Sequence, residues 1–402
     1  MTGAMYAGIS GLKTHMQNLN VIGHNLANVN TYGYKTQRMI FRESLYGTKV
    51  AGSDGTLTRG GVNPSQIGYG VEVGTIDLNM ASSTYTPTGY PMDTMIDGDG
   101  FYLVGNKDQE VRNMDDLTSF DLTRLGDFNF DPKGYLVDGD GRVVYGFATV
   151  QNPDYPANSD DPTIFSSELV PLRLPLAAMD PSKINVAAGG AAATWKTGEA
   201  VYPALDNAAK TDPTDEHYNV DPEDLYTFSA PDADGKVTVT AKTDTSITSP
   251  AVPNQEGECV QLNSIKIGTN GIIQGINEKT GETVTVGCLA VARVVNPDGV
   301  THVDGPYYRA MEGSGKLTVG APEGALNTEE NPTIFLNNKK TGAPGEMVGE
   351  ASKIRSSGLE ASSADVATEF ASMITTQRGY QANTRLITVT DSMLEELVNM
   401  KR

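Results

Sequence analysis

The sequence predicts a multidomain α + mainly β protein with paired N- and C-terminal coiled-coil helices and nested β-rich domains between them. Two observations lead to this class. Both ends of the 402-residue chain show long helical periodicity, and the middle shows alternating strand patterns separated by turn residues. Because a chain of this length exceeds what one hydrophobic core normally organises, several domains are expected.

The first 28 residues predict an amphipathic helix. Apolar residues recur there at alternating steps of four and three, which is the heptad spacing of a coiled coil, with one interruption at Gly23. The apolar stripe consists of Met5, Ile9, Leu12, Met16, Leu19 and Leu26.

Residues 363–402 predict a second, longer helix. The segment contains no proline and a single glycine, Gly379, and Ser362 with Asp365 resembles a capping box at its start. A helix over residues 363–400 would be about 57 Å long at about 1.5 Å per residue. Its apolar stripe consists of Val366, Phe370, Met373, Tyr380, Ile387, Leu394 and Val398.

The two helices, residues 1–28 and 363–402, are expected to form one polymerisation domain. An isolated amphipathic helix has nowhere to bury its apolar stripe, so each helix must meet a partner. Periodicity alone leaves three partners open: the other terminal helix in an intramolecular hairpin, one further chain in a two-stranded coiled coil, or many copies in a higher assembly. In each case the two apolar stripes are the predicted assembly interface.

An asparagine-rich segment predicts where the first helix ends and a linker begins. Asn tolerates left-handed backbone and can cap a helix end through its side chain. We therefore expect a helix-to-linker turn with a defined exit angle, formed by Asn25, Asn28, Asn30, Thr31 and Gly33. Residues 29–75, rich in Gly, Asn, Ser and Thr, are expected to form an extended linker region.

Two β-rich domains are predicted between the helices. The inner one comprises residues 76–150 and 285–362, where "FDLTRLGDFNFDPKGYLVDGDGRVVYGFATV" alternates strands with the turns "PKG" and "DGDG". The apolar run "ETVTVGCLAVARVV" indicates burial on both faces. The outer domain comprises residues 151–284, with a proline-rich start and the strand candidates "KVTVTA" and "SIKIG".

The charge distribution argues against nucleic acid and membranes as partners. The net charge is −20, yet residues 1–42 hold four Lys or Arg and no acidic residue, so the acidity lies in the middle. Such a surface repels nucleic acid and anionic membranes. No run of about 18 apolar residues and no secretory signal is visible, so these features alone predict a cytoplasmic protein without membrane insertion. Whether Cys259 and Cys288 pair, crosslink or stay free is open.

Candidate catalytic and metal sites are weak. Asp127, Asn129, Asp131 and Asp138 have the spacing of some EF-hand ligands, but Pro132 occupies the position that needs Gly. The four histidines are scattered, and "GSGK" lacks the rest of a phosphate-binding loop. We expect no cofactor, no metal site and no catalytic residue. The abundance of carboxylates leaves a secreted glycan-acting enzyme as the rival from another class.

Segments at both ends and in the middle resemble one known family. "NLANVNTYGYK" resembles the N-terminal signature of bacterial flagellar rod and hook proteins, and "EFASMITTQRGYQANTRLITVTDSMLEELVNMKR" resembles their C-terminal helix. "GFYLV", "TRLGDFNFDPKGYLVDGDGRVVYGF" and "LAVARVVNPDGVTHVDGPYYRAMEGSG" are similar to successive landmarks of the hook members, in the same order. The resemblance covers residues 1–150 and 285–402, and the outer domain is matched by position and composition alone.

The resemblance implies a structural subunit, not an enzyme, that self-polymerises into the flagellar hook, the flexible tubular joint that transmits torque from rod to filament in motility. The nearest alternatives are a distal rod or a hook-associated subunit, and the insertion at 151–284 favours the hook because rod proteins usually lack it. The implied partners are many copies of the same chain, the distal rod protein, the hook cap protein, the hook-filament junction proteins and the flagellar type III export apparatus. The implied location is extracellular, reached without a cleaved signal peptide.

Overall fold

The structure is a computed structural model that divides the chain into two compact units. It describes residues 2–55, 59–107, 118–151, 163–184, 195–202, 226–241, 253–254, 257–322 and 352–400. The first unit comprises Met1–Ala81 and Ala361–Arg402, and the second comprises Ser82–Glu360. The first unit therefore contains both ends of the chain.

Two long helices dominate the first unit. Helix α1 spans Thr2–Ala27 and helix α2 spans Val366–Met400. Asp365 caps α2, because its carboxylate accepts hydrogen bonds from the backbone N–H groups two and three residues further on, at 3.3 and 3.2 Å. Ser362, which the sequence indicated as the start of a capping box, lies one turn too early and instead accepts a hydrogen bond from the backbone N–H of Ala364 (3.2 Å).

Four strands in the first unit form two antiparallel pairs. Strand β1 (Gln37–Glu43) pairs with β4 (Val71–Leu78), and β2 (Tyr46–Val50) pairs with β3 (Ser65–Gly68). Most of these strands lie within residues 29–75, the predicted linker region. The pattern of β1 is hard to recognise in the sequence because Met39 is its one fully buried side chain, so apolar and polar residues do not alternate.

The second unit is built from short antiparallel strands. In chain order they are β5 (Tyr85–Pro87), β6 (Thr94–Asp97), β7 (Phe101–Gly105), β8 (Asp121–Thr123), β9 (Asn129–Phe130), β10 (Leu136–Val137), β11 (Val143–Gln151), β12 (Thr163–Pro171), β13 (Leu176–Ala177), β14 (Ala200–Val201), β15 (Tyr226–Phe228), β16 (Val239–Ala241), β17 (Leu262–Ile267), β18 (Ile272–Asn277), β19 (Thr283–Leu289), β20 (Val291–Val294), β21 (Thr301–Asp304), β22 (Tyr307–Arg309), β23 (Leu317–Gly320), β24 (Lys353–Ser356) and β25 (Gly358–Glu360). Most of them belong to one sheet, whose central path runs β17-β18-β19-β11-β7-β8-β22-β21.

This sheet supplies the hydrophobic core of the second unit. Tyr102, Phe128, Leu136, Val144 and Leu289 are among its fully buried members. Strand β7 is buried along its whole length, and β19 and β20 are buried over most of theirs. Burial on both faces explains why these segments read as nearly continuous apolar runs in the sequence.

Two aspartates organise the hairpin turns that the sequence predicts. In each case one carboxylate oxygen accepts hydrogen bonds from the backbone N–H groups two and four residues further on. The distances are 2.9 and 2.6 Å for Asp131, and 3.2 and 2.8 Å for Asp138. Gly134 and Gly141 complete the turns with φ of 85° and 83°, which favours glycine. The EF-hand-like spacing therefore reflects turn formation.

The predicted boundary between inner and outer domains falls inside β11. Strands β17 and β18, which lie in the predicted outer domain, share the sheet with β7 and β11 of the predicted inner domain. The proline-rich segment 152–162 and the turn-rich segment 211–224 lie outside the described residues. The division into four domains stays a prediction, and the two compact units are the divisions observed here.

A buried ion pair holds the end of β25 in the second unit. Nη1 of Arg124 lies 3.7 Å from Oε2 of Glu360, and the two side chains are 2% and 0% exposed. The guanidinium also donates to the carbonyl oxygen of Ile96 (3.4 Å) and lies 5.4 Å from the centre of the Phe101 ring. Glu360 accepts a hydrogen bond from the backbone N–H of Ser83 (2.8 Å), so both ends of this unit's chain meet at one buried carboxylate.

Both cysteines are free thiols. Cys288 is fully buried and Cys259 is half-buried. Burial raises the pKa of both thiols, most strongly for Cys288. A raised thiol pKa lowers the thiolate fraction at neutral pH and makes both side chains poor nucleophiles.

Candidate assembly interface

Helices α1 and α2 lie side by side in antiparallel orientation. Gly8 of α1 lies against Leu386 and Ile387 of α2, and His15 lies against Gly379. Further along, Asn18 donates a hydrogen bond to Thr376. Each step of three or four residues forward along α1 is thus matched by the same step backward along α2.

The surface between the helices, here called the seam, is lined mainly by small and polar residues, with Leu386 and Ile387 of α2 facing Gly8. A methyl group built on Gly8 would lie 2.9 Å from Cδ2 of Leu386, and one built on Gly11 would lie 2.7 Å from Nδ2 of Asn383. Across from them, a methyl group on Gly379 would lie 2.7 Å from Cε1 of His15. The glycines therefore allow an approach that larger side chains would prevent.

Polar pairs across the seam fix which residues face each other. Nδ2 of Asn18 donates to Oγ1 of Thr376 at 2.9 Å, and Thr376 in turn donates to the carbonyl oxygen of Ser372 at 2.8 Å. One end of the seam carries a second pair, Asn25 with Glu369, also at 2.9 Å. In any other register of the two helices the polar groups of such a pair would lack partners. These pairs therefore specify the register more than they stabilise the helix pair.

The side chain of Asn25 takes part in four hydrogen bonds within the first unit. Its Oδ1 accepts hydrogen bonds from the hydroxyl of Tyr34 (2.9 Å) and the backbone N–H of Gln37 (3.0 Å). Its Nδ2 donates to the carbonyl oxygen of Gln37 and to Oε1 of Glu369, both at 2.9 Å. Asn25 is 1% exposed, and these four bonds use all of its donors and both acceptor positions.

Burial around Asn25 shifts the pKa values of two neighbouring side chains. It raises the pKa of Glu369, while the hydrogen bond from Asn25 acts in the opposite direction. Burial, with a smaller contribution from the charge of Glu369, raises the pKa of Tyr34 to about 12. Tyr34 therefore stays protonated at neutral pH and donates its hydroxyl proton to Asn25.

The remaining predicted turn residues lie just after α1. Nδ2 of Asn28 donates to the carbonyl oxygen of His24 (3.0 Å), and its Oδ1 accepts from the hydroxyl of Thr31 (3.2 Å). Gly33 is buried with φ of 70°, whereas Asn30 is exposed. Asn25 itself lies inside α1, so its contribution is to tie the helix to the chain beyond the turn.

The predicted apolar stripes lie mainly on the flanks of the helix pair. Ile387 lies in the seam against Gly8. The half-buried stripe residues are Met5, Leu12, Leu19, Leu26, Met373, Tyr380, Ile387 and Leu394, and the exposed ones are Ile9, Met16, Val366, Phe370 and Val398. Further exposed apolar side chains that the sequence analysis did not select are Tyr6, Ile374, Leu386, Val389, Met393, Leu397 and Met400.

The seam residues form a heptad pattern of their own. Gly8, Gly11, His15, Asn18 and Asn25 follow steps of three, four, three and seven, parallel to the apolar stripe of α1. A search for apolar periodicity does not detect this pattern, because none of its members is a large apolar residue. The signal that would have found it is the recurrence of glycine and amide side chains at heptad spacing.

His15 occupies a confined position beside the seam. Its ring lies against Gly379 and is tilted by 52° to the ring of Phe41 on β1, with 5.4 Å between the ring centres. Its Nδ1 is buried and has no hydrogen-bond partner among the described residues. Burial lowers the pKa of His15, so the neutral ring is favoured.

The described part of the chain contains no arrangement typical of a metal site or of a membrane span. Within it, no group of three or more His, Cys, Asp or Glu side chains is arranged to hold a metal ion. Among its helices, none has the length and apolar content of a membrane span. Exposed large apolar side chains occur on both terminal helices and on strands β1 and β2.

The fold and this interface define a class of structural protein. In such a protein the two terminal helices pair through a seam made mainly of small and polar residues and expose apolar side chains. The rest of the chain forms a large β-rich body. Comparison with known proteins is consistent with that class. Residues 5–35 match the family model described as flagella basal body rod protein, and residues 355–400 match the model described as flagellar basal body rod FlgEFG protein C-terminal.

Proteins named as rod subunits and proteins named as hook subunits both align with the chain. The flagellar basal-body rod protein FlgG of Bacillus subtilis is 27% identical over 402 residues, covering 100% of both chains. The flagellar hook protein FlgE of Borreliella burgdorferi is 26% identical over 482 residues, again covering 100% of both chains. The FlgG of Caulobacter vibrioides is 33% identical over 176 residues, which cover 42% of this chain and 61% of its own.

Both ends of the chain match domains of the flagellar rod and hook protein family, and the full chain aligns with rod and hook proteins. It is a structural subunit of the bacterial flagellum, and its relatives are structural flagellar proteins. The family implies assembly of many copies within the flagellar axis. The predicted fold class is confirmed in its coarse form, terminal helices with a large β-rich body, whereas a coiled coil between those helices stays a proposal.

Proposed function

We propose that this chain is a hook subunit that polymerises through its terminal helices. The observation that carries the proposal is that different residues of those helices form the seam and the exposed apolar surface. The seam between α1 and α2 uses glycines and polar pairs, so the apolar side chains at the flanks remain available. Exposed side chains such as Ile9 (48%), Phe370 (47%) and Val389 (53%) gain burial only when further copies cover them.

The proposed assembly interface consists of the two predicted stripes without Ile387, which lies in the seam, together with the other exposed apolar residues of both helices. In this arrangement α1 and α2 act as one coiled-coil building block, and the turn at Asn28–Gly33 sets the direction in which the chain leaves it. A heterologous contact that does not close generates a helical tube, which is the form that a hook requires.

A hook subunit is favoured over a rod subunit by the size of the middle of the chain. The FlgG of Caulobacter vibrioides aligns with 42% of this chain, whereas the FlgE of Borreliella burgdorferi aligns with all of it. The rod-named relative from Bacillus subtilis also aligns over the full length, so a distal rod subunit is the second candidate. The proposed partners are the distal rod protein, the hook cap protein, the hook-filament junction proteins and the type III export apparatus, with export that needs no cleaved signal.

Electron microscopy of the purified protein tests polymerisation. We expect tubes from the concentrated full-length chain and none from a chain that lacks residues 1–30 and 363–402. Deleting the gene in the source bacterium separates the two candidates: basal bodies with complete rods but no hooks indicate a hook subunit, and truncated rods indicate a rod subunit.

Single substitutions separate assembly from folding. We expect Phe370→Asp to abolish tubes while the circular dichroism spectrum of the monomer stays unchanged, because Phe370 is exposed in the single chain. The matched change Ile387→Asp should instead disturb the helix pair itself, because Ile387 lies against Gly8 and a buried charge is costly. Normal tubes from Phe370→Asp would contradict the proposed interface.

A further inference from the structure

Helix α2 extends beyond the start of α1. In the antiparallel register set by Gly8 and Leu386, the first residue of α1, Thr2, lies level with Ser392. The last turns of α2, residues 393–400, therefore have no α1 residue beside them. We call these residues the overhang.

The overhang carries an apolar stripe with an acidic border. Met393, Leu397 and Met400 share one face at steps of four and three, and they are 52%, 44% and 81% exposed. Glu396 lies at the border of this stripe and is exposed. Glu395 is exposed on a different side of the helix, about 100° further round.

A face of α1 is complementary to the overhang in charge and, like it, exposes apolar side chains. Ile9, Lys13 and Met16 share one side of α1, again at steps of four and three, and the two apolar residues are 48% and 47% exposed. Lys13 is exposed and forms no ion pair or hydrogen bond within the described residues. It is also the one Lys or Arg of α1, and α1 contains no Asp or Glu.

The charges of α2 are arranged to match. After Arg385 every charged residue in the described part of α2 is acidic, and the last of them is Glu396. These acidic residues, Asp391, Glu395 and Glu396, lie in the last turns of the helix, and Lys401 and Arg402 follow in the sequence. A single basic residue within one apolar stripe thus has an acidic counterpart at the border of the other.

We propose that the overhang of α2 docks onto the Ile9–Lys13–Met16 face of α1 in a second copy of the chain, with Glu396 paired to Lys13. This contact rests on the proposed polymerisation and specifies which surfaces meet. It cannot form within one chain, because the internal register places Lys13 level with Gln381, fifteen residues or about 22 Å from Glu396. Repeated from copy to copy, the contact propagates along an assembly.

Charge reversal tests the proposal in the full-length chain. The variants are Lys13→Glu, Glu396→Lys and the double exchange, with Glu395→Lys as the control that makes the same charge change on another side of the helix. The measurement is the critical concentration for polymerisation, followed by sedimentation and electron microscopy at low and high salt.

We expect each single reversal to raise the critical concentration by about three- to tenfold at low salt and the double exchange to restore it. High salt should reduce these differences because it screens exposed charges. Glu395→Lys should polymerise like the unmodified chain. Unchanged polymerisation of both single variants, or a double exchange no better than either, would overturn the contact and indicate another occupant of the overhang. A full-length chain without any polymer would refute the proposed function itself.

Discussion

Asn25 and Glu369, 344 positions apart in the sequence, are joined by a hydrogen bond of 2.9 Å between Nδ2 and Oε1. The bond ties the end of α1 to the beginning of α2, and the same asparagine also holds Tyr34 and Gln37. One buried amide therefore connects both terminal helices to β1, the first strand after α1.

Replacing Asn25 should loosen this junction. We expect Asn25→Ala to destabilise the helix pair by about 2–4 kcal/mol, because it leaves several buried polar groups without partners. The measurement is hydrogen exchange of residues 2–27 and 366–400, which should become faster in the variant. Asn28→Ala is the control, since its bonds to His24 and Thr31 are exposed and worth about 1 kcal/mol or less. Equal exchange in both variants would show that Asn25 is not the junction.

Two helical glycines should respond in opposite directions to the same substitution. A methyl group on Gly379 would meet the His15 ring at 2.7 Å, and the Phe41 ring beside His15 restricts its escape. Gly23 has no other atom within 4 Å of such a group. We expect Gly379→Ala to lower the melting temperature of the helical signal and to reduce tube formation. Gly23→Ala should stabilise α1 by about 0.5–1 kcal/mol.

The opposite ranking would mean that the seam lies elsewhere on α1. Gly23 belongs to the apolar stripe predicted from the sequence, so a seam formed by that stripe would make Gly23 the sensitive position. The pair of variants therefore distinguishes the glycine and amide seam from the apolar stripe as the surface between α1 and α2.

The elements of this protein were easier to predict than the surfaces between them. Long helical periodicity and the lack of proline predicted both terminal helices, and the apolar run "ETVTVGCLAVARVV" predicted the buried strands β19 and β20. These signals are local, because each depends on burial along a single element. Strands β1 to β3 escaped prediction since they bury few side chains in the single chain.

The seam itself was not predictable from hydrophobicity. A close contact between helices can be made by glycine and by amide pairs, and neither raises the apolar content of a helix face. The chain contains two heptad patterns on α1, and sequence reasoning selected the apolar one that includes Ile9 and Met16. In the structure those two residues are exposed, which is why we assign them to contacts between copies.

Breaking the buried pair Arg124–Glu360 should destabilise the second unit. Glu360→Gln removes a buried charge but leaves Arg124 without its counter-ion, and breaking such a pair costs about 3–5 kcal/mol. Urea denaturation followed by the fluorescence of the single tryptophan, Trp195, would measure it. Lys196→Ala is the control, because its ion pair with Glu282 is exposed and worth about 1 kcal/mol or less. A loss no larger than in Lys196→Ala would contradict a structural role for the pair.

Mild acid should weaken the helix pair through His15. Burial lowers the pKa of His15 in the folded state, so the unfolded chain binds the proton more readily. The contribution of neutral His15 to the stability of the helix pair is therefore fully present above the pKa of histidine in the unfolded chain, about 6.5. It is lost as the pH falls below that pKa. Two acidic groups titrate at lower pH: the raised pKa of Glu369 favours the folded state on acidification, and the lowered pKa of Asp365 opposes it.

The measurement is the melting temperature of the helical signal between about pH 5 and 8, the range in which histidine titrates. We expect the unmodified chain to lose stability toward pH 5 and His15→Gln to lose most of that dependence. His24→Gln serves as the matched control because His24 is an exposed residue of the same helix, and it should behave like the unmodified chain. If His15→Gln kept the full pH dependence, the imidazole beside Gly379 would not be its source, and the buried Nδ1 would carry no cost on protonation.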